Sequence, residues 1–324
     1  MDTGLTSIDF GHDRSNFTGT LPIVIRPKPK LDNVTAWFSA HRVEILQLVR
    51  KAGAILFRGF PISDVDIFSN IVSIITPTVE NYSGGTSPRV KIKDGVYTST
   101  EYPRQYEISL HNEMSYSLRW PDFLYFFCVT PPGSGGETSI ADSRRIMSSI
   151  APEIVEKFER LGVGYRRNLF GRKSAFNSWA KAYETEDRAA VERHCREWDT
   201  QYEWLDDDGL QTTEIRAATR FHPITEEKIW FNQAHLWHVS NSPFLEEEDF
   251  AAASDLPMNC VFGDGTTIDV TMLKNIRQVM NEEKKLVSWE KGDLLLLDNV
   301  LVAHGRMPFS GNRKIVVTMS SIKS

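Results

Sequence analysis

The chain has 324 residues, 41% of them apolar and 25% charged, with a formal net charge of −6; these ordinary globular values allow one large domain or two small ones. The acidic balance and the shortness of the densest basic pieces, Arg26-Pro27-Lys28-Pro29-Lys30 and Arg166-Arg167, argue against nucleic acid as the main partner. A polar N-terminus without an apolar h-region and the lack of any apolar run near the ~18 residues of a membrane span argue against a signal peptide and a membrane segment.

Residues 1–20 are polar and rich in Gly, Thr and Ser, and are expected to form an N-terminal arm. Leu21 to Ile25 reads as an edge strand closed by the proline-bearing stretch to Lys30. Val34, Trp37, Phe38, Ile45, Leu48 and Val49 recur at helical spacing, which predicts one helix over 34–52 with Gly53 as its C-cap. Ala54 to Phe60 reads as a buried strand, and Ser63 as the cap of a helix from Val65 to Ile75. Residues 76–104 form a long Pro-, Gly-, Ser- and Tyr-rich stretch, either a cover for a site or a surface excursion. Gln105 to Ser109 is extended. Phe123 to Val129 is a strongly apolar strand, Pro131 to Gly136 a turn, and Glu137 to Ala141 a further strand. Asp142 or Ser143 is expected to cap a helix reaching about Leu161.

Beyond residue 162 the pattern is mixed. Thr185 to Trp198 looks helical, Asp206-Asp207-Asp208-Gly209 is a turn without the rest of an EF-hand pattern, and Glu227 to Phe231 is extended. Phe244 to Asp255 and Val270 to Met280 read as short helices. Strands return at Met258 to Phe262, Leu286 to Trp289, Asp293 to Leu297 and Arg313 to Met319, the last with Ile315, Val317 and Met319 alternating against Lys314, Val316 and Thr318. Strands at both ends enclosing helices predict a mixed, mainly β fold. Its core is a jelly roll, a double-stranded β-helix of cupin-like kind, with flanking helices and a helix-rich insertion at about 143–257 in a single domain. Cys128, Cys195 and Cys260 are odd in number and lack CxxC spacing, so a reducing cytoplasm is expected rather than a disulfide framework.

Three residues carry the chemistry. His111 and Glu113 are two apart in Leu110-His111-Asn112-Glu113-Met114, and in extended chain such residues project to one face. His304 follows the run Leu294 to Leu297 and the turn-forming Asp298-Asn299. Two imidazoles and a carboxylate can take one face of an octahedral metal, as in non-heme Fe(II) oxygenases; zinc on the same ligands would make a hydrolase. Arg313 opens the last strand. It is either a surface residue or, inside a pocket, a bidentate grip on a carboxylate, and the carboxylate-bearing chelator of such a metal is 2-oxoglutarate.

With these segments stands a resemblance. Leu110 to Tyr116, Gly135 to Asp142, Trp230 to His235, Asn259 to Gly265 and Gly292 through Arg313 resemble the taurine dioxygenase (TauD/TfdA) type of Fe(II)/2-oxoglutarate-dependent dioxygenase, most of all its SyrP-like and clavaminate-synthase-like members. The resemblance runs over roughly residues 50–320. It implies that His111, Glu113 and His304 hold Fe(II), that Arg313 binds the distal carboxylate of 2-oxoglutarate with a hydroxyl hydrogen bond from Thr138, and that O2 is the oxidant. Glu113 stands where most such members have Asp, and an intact carboxylate argues against halogenation.

The implied substrate is an amino acid, free or tethered to a carrier protein, in natural-product biosynthesis, with hydroxylation as the outcome; desaturation, ring closure and epoxidation share the same ligand set. Met114 and Tyr116, Asn232, Gln233 and His235 in the aromatic stretch Trp230 to His238, and Arg306 are candidates for the substrate pocket or for core packing. His194, His222 and His238 are expected to pack or face solvent, and His12 and His41 to be unrelated to the site. A binding protein on the same fold would be expected to break the triad or lose the arginine, and a zinc hydrolase would leave Arg313 and Thr138 without a task.

Overall fold

The computed structural model describes residues 21–27, 31–76, 78–79, 91–93, 95–98, 102–174, 177–242, 245 and 256–321. The architecture is mixed and sheet-rich. An eight-stranded sheet runs in the order Ile23–Ile25, Ala54–Phe57, Leu294–Asp298, Phe123–Thr130, Lys314–Ser321, Val96–Thr98, Lys91–Lys93, with Thr78–Val79 also paired to Lys314–Ser321. Its first pair is parallel and the others antiparallel. A four-stranded antiparallel sheet runs Lys285–Val287, Thr138–Asp142, Val302–Arg306, Ile108–His111.

The continuous apolar runs follow from burial of both faces of the larger sheet. Ile55, Phe57, Tyr125, Phe127, Leu294, Leu296 and Val316 pack on helices Val34–Ala40, Arg42–Ala52 and Val65–Ile75. Their period-two neighbours Leu56, Leu124, Phe126, Leu295, Leu297, Ile315, Val317 and Met319 meet Ile140, Val287 and Val302 of the smaller sheet. The four leucines of Leu294 to Leu297 are fully buried. At ~1.5–3 kcal/mol for each such side chain, against ~1 kcal/mol for a hydrogen bond, burial holds this strand. The outer face of the smaller sheet, through Leu110, Ala141 and Ala303, packs on helices Ser143–Ser149, Pro152–Leu161 and Val270–Glu283.

Several expectations change. The helix expected over 34–52 is two, broken at His41, whose Nδ1 donates to the Trp37 carbonyl at 2.8 Å; Gly53 caps the second at φ +86°. Asp64, not Ser63, caps Val65–Ile75, accepting from the amides of Asp66 and Ile67, while Ser63 Oγ donates to Asp64 Oδ2. The helix after Asp142 is interrupted at Ile150-Ala151, because Pro152 starts a new helix and cannot continue an old one. The 143–257 segment is not simply helix-rich. Val163–Leu169, Thr200–Trp204 and Leu210–Arg216, with Met258–Phe262, form a four-stranded antiparallel sheet, and Thr219–Phe221 pairs with Lys228–Trp230 in a hairpin. Apart from Leu245, the helix expected over 244–255 lies outside the described residues, as do the arm at 1–20 and much of 76–104.

Candidate active site

His111 ends its strand and His304 sits mid-strand in Val302–Arg306. The two are directly opposed in the antiparallel register. Opposed residues have Cβ atoms only ~4.5–5.5 Å apart, and the two ring centroids are 4.4 Å apart. The strand stops at His111, so Glu113 stands in the following turn rather than farther along an extended chain. Glu113 Oε2 lies 3.8 Å from His304 Nε2, and one ligand atom from each of the three residues falls within 4.8 Å of the others. Glu113 is 4% exposed and His304 6%.

The turn carrying Glu113 is gripped by side chains. Asn299 Oδ1 accepts from the Glu113 amide at 2.7 Å, and Asn299 Nδ2 donates to the carbonyls of Glu113 (3.0 Å) and Pro121 (2.8 Å). Asn112 Nδ2 donates to the Asn299 carbonyl at 2.7 Å. Next in the chain, Met114 has φ +56°, a conformation that costs a non-glycine residue ~1–2 kcal/mol; the buried bonds around it, at ~0.5–1.5 kcal/mol each, offset that cost. His111 Nδ1 lies 2.9 Å from the Ser109 carbonyl, which can only accept. The proton is therefore on Nδ1, and Nε2 keeps its lone pair for a ligand. Phe126 covers His304, ring to ring at 5.4 Å. Gly305 lets the two histidine strands close, since a Cβ there would press on the Ile108 carbonyl and sit 2.7 Å from Ser139 Oγ.

Two imidazoles and a carboxylate suit a borderline divalent ion such as Fe(II). Neighbouring ligands on an octahedral ion with bonds of ~2.1 Å lie ~3 Å apart, so the set needs only modest side-chain rotation to close on one. Arg313 is partly buried, its Nε donates to the Gly136 carbonyl at 3.0 Å, and its guanidinium lies 5.5 Å from the Phe309 ring. Burial first, and the positive charge of Arg306 second, push Arg313 down to about 10. A carboxylate would offset both. Gly136 beside it has φ +70°, a conformation that favours glycine, and a Cβ there would come 2.9 Å from Phe309 Cβ and 3.1 Å from Arg313 Cδ. Thr138 is buried, pairs in register with Arg306, and its Oγ1 accepts from Trp289 Nε1 at 3.1 Å.

The remaining candidates are engaged as follows. Arg306 donates to the carbonyls of Tyr102, Pro103 and Tyr106, each at 2.9 Å, and so ties the stretch ahead of the His111 strand. Met114 is buried at the turn, and Tyr116 packs on Trp237 with ring centroids 5.0 Å apart. Asn232 closes its own loop, donating to the Ala218 carbonyl and accepting from the Ala234 amide. Gln233 Nε2 donates to the Asn112 carbonyl and His235 Nε2 to the Leu110 carbonyl, each at 2.8 Å.

His222 accepts from the Thr225 amide on Nδ1 and donates from Nε2 to Asp298 (3.1 Å), whose other oxygen takes the amides of Val300 and Leu301. It thereby braces the turn into the His304 strand. His194 stacks on Trp198, His238 Nδ1 accepts from the Ser240 amide, and Asp208 pairs with Arg172 and Arg188. Sequence reading missed Asn299, Asn112 and Trp289 as parts of this site. The one available signal was a pair of polar residues, Asp298-Asn299, breaking an otherwise apolar run.

Residues 21–319 match the family model described as "Taurine catabolism dioxygenase TauD, TfdA family". The chain is 36% identical over 290 residues to the dapdiamide synthesis protein DdaC of Enterobacter agglomerans, covering 89% of this chain and 87% of that one. It is 30% identical to a clavaminate synthase-like protein of Arabidopsis thaliana, covering 93% and 91%. The fold is similar to that of PvcB from Pseudomonas aeruginosa, with a TM-score of 0.52 and 16% identity over 92% of this chain and 84% of that one.

Proposed function

This chain belongs to the TauD, TfdA family and is a dioxygenase dependent on Fe(II), 2-oxoglutarate and O2, and from that premise we propose that His111, Glu113 and His304 hold the Fe(II) while Arg313 and Thr138 receive the far carboxylate of 2-oxoglutarate. One observation carries the assignment: the cross-strand opposition of His111 and His304 with Glu113 turned onto the same point. The two facing sheets are read as a jelly-roll core, and the whole chain as one domain. When bound at these residues, the iron and co-substrate would supply the O2-dependent oxidising chemistry that a protein side chain cannot.

The protein's own residues supply position and dryness. His111 is fixed in the Nδ1-protonated tautomer by Ser109. Asn299 holds the Glu113 backbone, so the carboxylate approaches from one side. Phe126 and the apolar face formed by Leu124, Leu295 and Val317 keep water from the inner wall. Arg313 offers a partly buried guanidinium whose planar fork can take a carboxylate in two hydrogen bonds.

The substrate is an amino acid, free or held as a thioester on a carrier protein, and the product is hydroxylated; the kinship with a dapdiamide synthesis protein supports a role in natural-product biosynthesis. Buried Cys128, Cys195 and Cys260, all free, suit a reducing cytoplasm. The test is a panel of amino acids, free and carrier-loaded, incubated with Fe(II) and 2-oxoglutarate. Succinate release matched by gain of one oxygen atom in a panel member supports the reading. Release with loss of two hydrogens instead shifts the outcome to desaturation or ring closure, and no stimulation by any member overturns the substrate class.

A further inference from the structure

The turn from Asn232 to Trp237 touches both ligand-bearing peptides of the HxE segment. We propose that Gln233 and His235 are positioning residues that pin the peptide planes of His111 and Glu113 and thereby set the affinity for the metal. The inference rests on reading His111 and Glu113 as ligands.

The carbonyl of Leu110 and the amide of His111 form one peptide unit, and the carbonyl of Asn112 and the amide of Glu113 form another. His235 Nε2 donates to the first carbonyl and Gln233 Nε2 to the second, each at 2.8 Å. The opposite end of the second unit, the Glu113 amide, donates to Asn299 Oδ1. A planar unit held at both its oxygen and its nitrogen cannot swing about the chain, so the Cα of Glu113 leaves it in one direction. Ile108–His111 is the edge strand of its sheet, and at Leu110 a side chain takes the place of a neighbouring strand.

The brace is itself anchored. Arg277, from helix Val270–Glu283, donates to the His235 carbonyl at 2.7 and 3.0 Å. Gln233 Oε1 accepts from Trp237 Nε1 at 3.3 Å, and the Gln233 amide donates to the Tyr165 hydroxyl at 2.8 Å. His235 is 2% exposed. Its Nδ1 is buried and has no hydrogen-bond partner among the described residues. An apolar side chain would fill that space without leaving such an atom, so the histidine is there for the bond its other nitrogen makes. Burial holds the ring neutral, its pKa pushed down to about 4, and the single proton is on Nε2.

The experiment is an anaerobic Fe(II) titration of the metal-free protein, read as a dissociation constant, with thermal unfolding measured in parallel. His235→Phe and Gln233→Leu remove the donors at similar volume, His235→Gln keeps a donor, and Val191→Ala lowers stability in the separate Leu169, Trp179, Val191, Cys195, Leu210 cluster. The expected result is a ~10–100-fold weaker affinity for His235→Phe and Gln233→Leu, restored to within a few fold in His235→Gln, with wild-type affinity in Val191→Ala. Wild-type affinity in both donor-less variants overturns the proposal, as does an equal loss in Val191→Ala. If His235→Phe does not fold, Gln233→Leu carries the decision alone. Failure of the wild-type protein to bind Fe(II) overturns the ligand reading instead.

Discussion

Glu113 owes its place to Asn299, and the two can be separated by mutation. Truncating Glu113 to Ala removes the carboxylate but leaves the backbone bonds to Asn299, so the fold is expected to persist with unchanged thermal unfolding while 2-oxoglutarate turnover stops; normal turnover would remove Glu113 from the metal. Arg313→Ala acts on the co-substrate. Loss of a buried charged contact costs about 2–5 kcal/mol, so the 2-oxoglutarate concentration for half-maximal turnover should rise at least about 30-fold. An unchanged requirement would assign the carboxylate to another residue; Arg306, whose charge acts on Arg313, is already bonded to three carbonyls.

Among the elements, the strand Val302–Arg306 is the most exacting. It pairs with Ile108–His111 on one side and Thr138–Asp142 on the other, with a register shift between His304 and Arg306. Gly305→Ala should therefore push the histidine strands apart, lowering stability by about 1–3 kcal/mol and weakening Fe(II) binding, both measurable by denaturant unfolding and metal titration; wild-type behaviour in both would show that the sheet relaxes freely. This strand was illegible in the sequence, because Val302-Ala303-His304-Gly305-Arg306 has neither alternation nor length. Leu294–Asp298 and Phe123–Thr130 were legible, because burial on both faces writes an unbroken apolar run. The insertion sheet was missed for the opposite reason: Thr200–Trp204 and Leu210–Arg216 are half-exposed strands of polar residues, whose pattern competes with that of the nearby helix Arg188–Glu197. The triad residues were legible as types, while the opposition of His111 and His304 is a matter of register that only the assembled sheet reveals.

For the whole molecule, pH reports the buried imidazoles. Burial pushes His235 and His238 down to about 4 from the ordinary 6.5. The unfolded chain therefore binds protons near 6.5 that the folded chain refuses until near 4. Stability from these groups is complete above about pH 7 and is lost as pH falls from 6.5 towards 4, each contributing on the order of 1–3 kcal/mol. Urea unfolding of the metal-free protein from pH 7 to 4.5 should show this loss, shallower in a His235→Gln, His238→Gln double variant. Parallel pH profiles would contradict it.

The proposed metal centre joins two opposed strands and a clamped turn. Its most direct test is anaerobic absorption spectroscopy of the folded protein with Fe(II) and 2-oxoglutarate, beside His304→Ala. The expected result is a weak visible charge-transfer band in the wild-type protein that is absent from the variant. A band retained in His304→Ala, or none in wild-type protein loaded with iron, would contradict it.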